Sequence, residues 1–175
     1  SNELVATFYA HYNAEVLMRA GLPRLQQREA QTIGRKIYDA VCSDPTLWRT
    51  YNHTEPLLEK LAKSGKKIAV IENLDSRAVG LLKYWNIDRF FEFILCGGDG
   101  DVQLRKPDPS IFILALKKAG IQAKQAVYIG DHYSNDVVGP RQVGMTPILF
   151  DPQQLYPDVD CLTLHSFAPL IKRFS

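Results

Sequence analysis

Apolar positions repeat at two different periods along this chain, and the change falls near residue 67. From Asn2 to about Ala20, the residues Leu4, Val5, Phe8, Tyr12, Val16 and Leu17 recur at steps of three and four, the spacing of one helix face. Gly21-Leu22-Pro23 stops that helix. A second helix, with a thinner apolar stripe, is predicted from about Arg24 to Val41. A third runs from Glu55 to Lys63 and ends at Ser64-Gly65. No strand pattern precedes residue 67.

Beyond that point short apolar runs alternate with helical stretches. Lys67 to Ile71 reads as a buried strand, followed by a helix from Ser76 to Trp85. Phe91 to Cys96 is the next strand, running into the loop composition Gly97-Gly98-Asp99-Gly100-Asp101. Pro107-Asp108-Pro109 opens a helix from Ser110 to Ala119. Then come a strand from Gln125 to Ile129, a helix starting near Asn135, strands at Thr146 to Phe150 and Cys161 to Leu164, and a closing helix from Ser166 to Phe174. Strand–helix alternation implies right-handed crossovers and a parallel sheet covered on both faces, an α/β fold. Such sheets bind ligands outside the carboxyl ends of their strands. That rule singles out Glu72-Asn73, Cys96-Gly97, Gly130-Asp131 and Asp151.

Composition narrows the class. With 46% hydrophobic and 23% charged residues over 175 positions, the chain is an ordinary globular one. A net charge of +2 gives no bulk field for nucleic acid or membrane, so neither is expected as a partner. No apolar run approaches the ~18 residues of a membrane span, and no signal-peptide pattern opens the chain. Cys42, Cys96 and Cys161 are odd in number and far apart, which suits reduced, buried thiols in a cytoplasmic setting. Ser1-Asn2 reads as an expression scar or the cut edge of a longer chain.

Three segments carry candidate chemistry. Val127-Tyr128-Ile129-Gly130-Asp131 is an apolar strand ending in Gly-Asp, with Asp136 five positions further on. Two carboxylates converging at a strand tip suit Mg²⁺, a hard cation that takes oxygen ligands and keeps several waters. The same residues also read as a helix start, with Ser134 or Asn135 as the cap and Asp136 favouring the first turn. Lys106, in Arg105-Lys106-Pro107-Asp108-Pro109, is either an anion partner or a solvated lysine in a turn. Glu72 and Asn73, after the strand starting at Lys67, are either site residues or caps for the next helix. His132 lies at the same edge, as a pocket-lining or a surface residue; the other histidines are scattered. Asp99-Gly100-Asp101 fails as a calcium loop, because Leu104 and Ser110 fall at its sixth and twelfth positions.

Taken in order, these segments resemble the haloacid dehalogenase-like hydrolases, a superfamily of mostly phosphatases. Glu72-Asn73 stands at the family's second motif, Lys106 in Lys-Pro-Asp-Pro at its third, and Asp131 with Asp136 at its fourth. The flanks agree: Leu57 to Gly65, Ile111-Phe112 and Val143-Gly144-Met145 match the stretches around those motifs. The resemblance covers roughly residues 50 to 172 and is nearest the subgroup with an all-helical cap. It implies a Rossmann-like parallel sheet over residues 51–175 and a partial helical cap over residues 1–50. It also implies a Mg²⁺-dependent phosphatase acting on a small phosphorylated metabolite. Asp131 and Asp136 would hold the metal, Lys106 would be catalytic, and Glu72, Asn73 and His132 would face the substrate.

Two departures stand against that match. The family's nucleophilic Asp-x-Asp, on a first strand central to the sheet, is missing; this chain begins inside the expected cap and is expected not to turn over alone. A sheet without its central strand exposes two rows of backbone groups, so a longer chain or a partner chain is expected to fill the gap. Asp158-Val159-Asp160 is an Asp-x-Asp by letters, but Leu155-Tyr156-Pro157 precedes it instead of an apolar strand. The second departure is Glu72, where the family places a small hydroxyl. A carboxylate ~4 Å from a phosphate oxygen costs on the order of 4 kcal/mol per unit charge at an effective dielectric near 20. Protonation, rotation away or pairing with Lys106 would relieve it. Pro140, where alanine is usual in the family, requires a helix beginning close to Asp136. The alternative to an enzyme is a catalytically dead fold kept as an interaction or assembly module.

Overall fold

The computed structural model describes residues 27–97 and 104–174. The helix expected over residues 2–20 and the Gly98–Asp101 part of the glycine-rich loop lie outside that range. In chain order the elements are α1 (Gln27–Ser43), α2 (Thr54–Lys63), β1 (Ala69–Glu72), α3 (Arg77–Tyr84), β2 (Phe93–Cys96), α4 (Pro109–Ala119) and β3 (Val127–Gly130). A π-helical turn (Tyr133–Val138) then runs into the single turn α5 (Gly139–Arg141). β4 (Thr146–Phe150), β5 (Leu162–Leu164) and α6 (Ala168–Arg173) close the fold.

Local chemistry sets the boundaries. The Asp108 carboxylate accepts the Ser110 N–H at 2.8 Å, Pro109 occupies the first turn, and Gly120 ends α4 at a φ of 66°. The helix predicted to start near Asn135 instead starts at Tyr133, as a widened turn. Pro140 has no N–H to return to the carbonyl four residues back. The chain shifts register ahead of it, with the Gly139 N–H bonding the Ser134 carbonyl five residues earlier.

All strand pairs are parallel. β1 pairs with β2 (Ile71 opposite Leu95), while β3, β4 and β5 form a second ladder in that order. Among the described residues no backbone ladder joins β1 to β3. A side chain crosses between them: the Tyr128 hydroxyl donates to the Ile71 carbonyl at 3.2 Å. One face carries Ile71, Leu95, Ala126 and Tyr128 against Ile111, Phe112 and Ala115 of α4. The opposite face carries Ile148, Phe150 and Leu164 against Phe167 and Leu170, with the Phe150 and Phe167 rings stacked at 4.3 Å. Helices thus lie on both faces, as in a Rossmann-like α/β fold.

The turn after β1 is tied to α1. Asp75 is 1% exposed and accepts the Arg77 backbone N–H at 3.0 Å and its guanidinium at 2.7 and 2.9 Å. The same guanidinium reaches Asp39 of α1 at 3.2 Å and lies 4.9 Å from the centre of the Tyr38 ring. Burial alone would raise the Asp75 carboxyl, but the bonds from Arg77 outweigh it and hold it below the usual carboxylate range. A carboxyl depressed on folding adds stability above its unfolded pKa and loses it as pH falls through the folded one. Asp75→Asn should therefore lower the unfolding free energy by about 1–3 kcal/mol at neutral pH. It should also flatten the loss of stability with acid. Urea unfolding across the carboxylate range checks both, and parallel curves for the two proteins would refute the assignment.

Candidate active site

Three segments meet at the carboxyl edge of the strands. Glu72 ends β1, with its carboxylate 3.2 Å from the Asn73 N–H. The Asn73 side chain engages both backbone groups of Lys106: its Nδ2 donates to the carbonyl at 3.0 Å, and its Oδ1 accepts the N–H at 2.8 Å. Its amide thereby hangs the lysine segment from the end of β1, the strand tip at which Asn73 is expected to face substrate.

β3 delivers the opposite wall. A Cβ at Gly130 would collide with the Asp136 side chain, so glycine at this strand tip is what lets that carboxylate lie against the sheet. Asp136 is 2% exposed. Its Oδ2 accepts the His132 N–H at 2.9 Å, while its own N–H returns to the His132 carbonyl at 2.7 Å. Gly139 serves a similar purpose one turn on, where a Cβ would stand 2.7 Å from the Phe112 ring and 3.2 Å from Pro107 Cα. The widened turn can therefore press against the residue that follows Lys106.

The Lys106 side chain, 8% exposed, joins the two walls. Its Nζ lies 2.9 Å from Asp136 Oδ1, 3.1 Å from the Tyr128 hydroxyl and 5.7 Å from the centre of that ring. Burial opposes the charge, but Glu72 and Asp136 outweigh it and hold the lysine firmly protonated. Glu72 moves upward, because burial and the Asp136 and Asp131 charges together exceed the help from Lys106. Burial also raises the Tyr128 phenol, which stays a neutral hydroxyl.

The remaining candidates separate. Asp131 is exposed just beyond β3, near enough to bear on the Glu72 carboxyl. His132 is exposed, and its ring nitrogen accepts the Asn135 N–H at 3.4 Å, so it caps the turn in place of Ser134 or Asn135. Asp160, of the false Asp-x-Asp, accepts the Tyr133 hydroxyl at 2.6 Å and the Arg141 guanidinium at 2.8 Å, which straps the last loop to the widened turn. Asp151 is spent on the Leu155 and Tyr156 N–H groups, both at 2.9 Å. Sequence reasoning missed Tyr128; its place in an apolar strand marked it only as core.

Among the described residues, no three His, Cys, Asp or Glu side chains group to hold a metal by themselves. The donor set nevertheless suits Mg²⁺, which usually takes one or two protein carboxylates and completes its shell with water and phosphate oxygens. Asp131 has open oxygens at the edge, whereas both Asp136 oxygens already carry a hydrogen bond.

Fold and site together define an α/β protein with a lysine–carboxylate site at the carboxyl edge of a parallel sheet. The family model described as haloacid dehalogenase-like hydrolase matches residues 2–150, and the chain belongs to that family. Haloacid dehalogenase-like hydrolase domain-containing protein 3 of Homo sapiens is 36% identical over 118 residues, spanning 67% of this chain and 46% of that protein. Phosphoglycolate phosphatase 1 of Pseudomonas aeruginosa is 30% identical over 139 residues, spanning 75% of this chain and 50% of that one. The chain thus spans about half the length of these curated relatives. The crystal structure of a HAD phosphatase from Thermococcus onnurineus shares the fold, with a TM-score of 0.73 at 20% identity, covering 100% of this chain and 92% of that one.

Removing one partner of a buried ion pair strands the other. Lys106→Met should lower the unfolding free energy by about 3 kcal/mol, and adding Asp136→Asn should recover most of that loss. Urea denaturation of the single and double variants measures it. Equal losses in both would show that the pair is not coupled.

Proposed function

We propose that this chain carries the phosphate-handling half of a Mg²⁺-dependent phosphatase site for a small phosphorylated molecule. The observation that carries the reading is the Lys106 ammonium, charged, nearly buried and pinned at the edge where Asp131 stays open. The name of the Pseudomonas relative supports a phosphate ester as substrate. In this reading Lys106 neutralises a phosphate oxygen, Asp136 aims Lys106 and adds charge to the metal side, and Asp131 is the carboxylate that meets Mg²⁺. Bound there, Mg²⁺ would offset the charge of the transferring phosphoryl group. His132 stands at the mouth of this edge as a substrate neighbour. A further strand between β1 and β3, from a longer form of the chain or from a partner chain, would complete the sheet and bring the nucleophilic carboxylate. The three cysteines form no disulfide among the described residues and two of them are buried, which suits a cytoplasmic setting.

Glu72 favours a second reading, in which the fold is kept as an interaction module. An ionised carboxylate beside Lys106 competes with phosphate for the ammonium. Burial, however, pushes the Glu72 carboxyl upward, which weakens that competition.

Calorimetric titration with inorganic phosphate, with and without Mg²⁺, separates the two. The phosphatase reading expects Mg²⁺ affinity on the order of millimolar, lost in Asp131→Asn, because few protein carboxylates reach the ion. It also expects Glu72→Ser to tighten phosphate about ten-fold, since a repulsion of ~1.4 kcal/mol is one decade. Phosphate binding that ignores both Asp131 and Glu72 would overturn it. Binding that appears only after Glu72→Ser would favour the module.

A further inference from the structure

Lys106 has three N–H donors, and the contacts around it account for two. One goes to Asp136 Oδ1 at 2.9 Å and one to the Tyr128 oxygen at 3.1 Å. A single contact leaves a lysine head free to pivot on its long stem; two contacts from different walls fix where the third donor points. The Tyr128 ring is itself immobilised, edge-on to Phe112 at 5.2 Å and 84° within the cluster beneath α4. Its one hydroxyl proton goes to the Ile71 carbonyl at 3.2 Å, so the oxygen can only accept from the lysine. The hydroxyl is thereby held from β1, Glu72's own strand, while its ring belongs to β3. Without it, Asp136 would be the one side-chain contact left of the two.

We propose that Tyr128 is a positioning residue, whose hydroxyl together with Asp136 fixes the Lys106 ammonium and leaves its third donor to a ligand oxygen. The proposal rests on the phosphate reading of the site. A tyrosine that merely filled the core would contribute packing, which phenylalanine preserves, and would show no link to Lys106.

Two measurements on the full chain test it. The first is acylation of Lys106 by an amine-reactive ester at one fixed pH, read by mass spectrometry against exposed Lys117 as internal reference. Losing one hydrogen bond to a charged group should free Lys106 by about ten-fold in Tyr128→Phe. Tyr128→His, which keeps a polar ring atom, should restore part of the protection, and it serves alone if the Phe variant does not fold. Equal Lys106 rates in wild type and variant would overturn the proposal. The second is a double-mutant cycle on inorganic phosphate affinity in Mg²⁺. Tyr128→Phe should weaken phosphate about ten-fold when Lys106 is present and leave Lys106→Met unchanged. Equal effects in both backgrounds would overturn the proposal. Absence of phosphate binding in the wild type would overturn the functional reading instead, while the acylation result still decides whether Tyr128 holds Lys106.

Discussion

The ion pair between Lys106 and Asp136, 2.9 Å apart with both side chains almost out of water, is the interaction around which the site is organised. Burying either charge alone costs several kcal/mol, recovered only when the geometry is good and the remaining polar atoms are bonded. The surroundings meet that demand. Gly130 makes room for the carboxylate, the His132 N–H takes its second oxygen, and the Tyr128 hydroxyl takes a second lysine donor. Gly139 lets the widened turn approach Pro107 closely enough to keep the two segments in contact.

The same economy of contacts appears away from the site. Arg77 links the turn after β1 to α1 through Asp75 and Asp39, so the helix that precedes the α/β core is held by the residues that follow Asn73. The two sheets share the core cluster beneath α4, where Ile71 and Leu95 meet Ala126 and Tyr128 on Phe112. Cohesion across the space between β1 and β3 therefore comes from side chains, with Tyr128 as a direct polar link.

The strands were legible because each is an apolar run bounded by charged or turn residues, and the observed starts fall at most two residues inside the expected ones. Ile68 shows why: its carbonyl already accepts the Glu92 N–H at 2.8 Å, although the strand proper begins at Ala69. The residues at the carboxyl edge were legible from the same pattern, since strand tips in a parallel sheet face one way. Their partners were not. Asn73 and Lys106 lie 33 positions apart, Lys106 and Tyr128 lie 22, and Tyr128 and Ile71 lie 57. No local period encodes such pairings. The widened turn was hidden for a different reason: Pro140 announces a break, but which carbonyl is skipped depends on how Gly139 and Asp136 pack.

The double hydrogen bond from Asn73 to the backbone of Lys106 has a mechanical meaning. Because one amide grips both the N–H and the carbonyl, the lysine segment neither slides nor rolls independently of β1. Lys106 thereby answers to both strands at once, its backbone hung from the end of β1 and its ammonium held by Asp136 and the Tyr128 hydroxyl. The lysine side chain is therefore a tie between β1 and β3, two strands that no backbone ladder joins among the described residues.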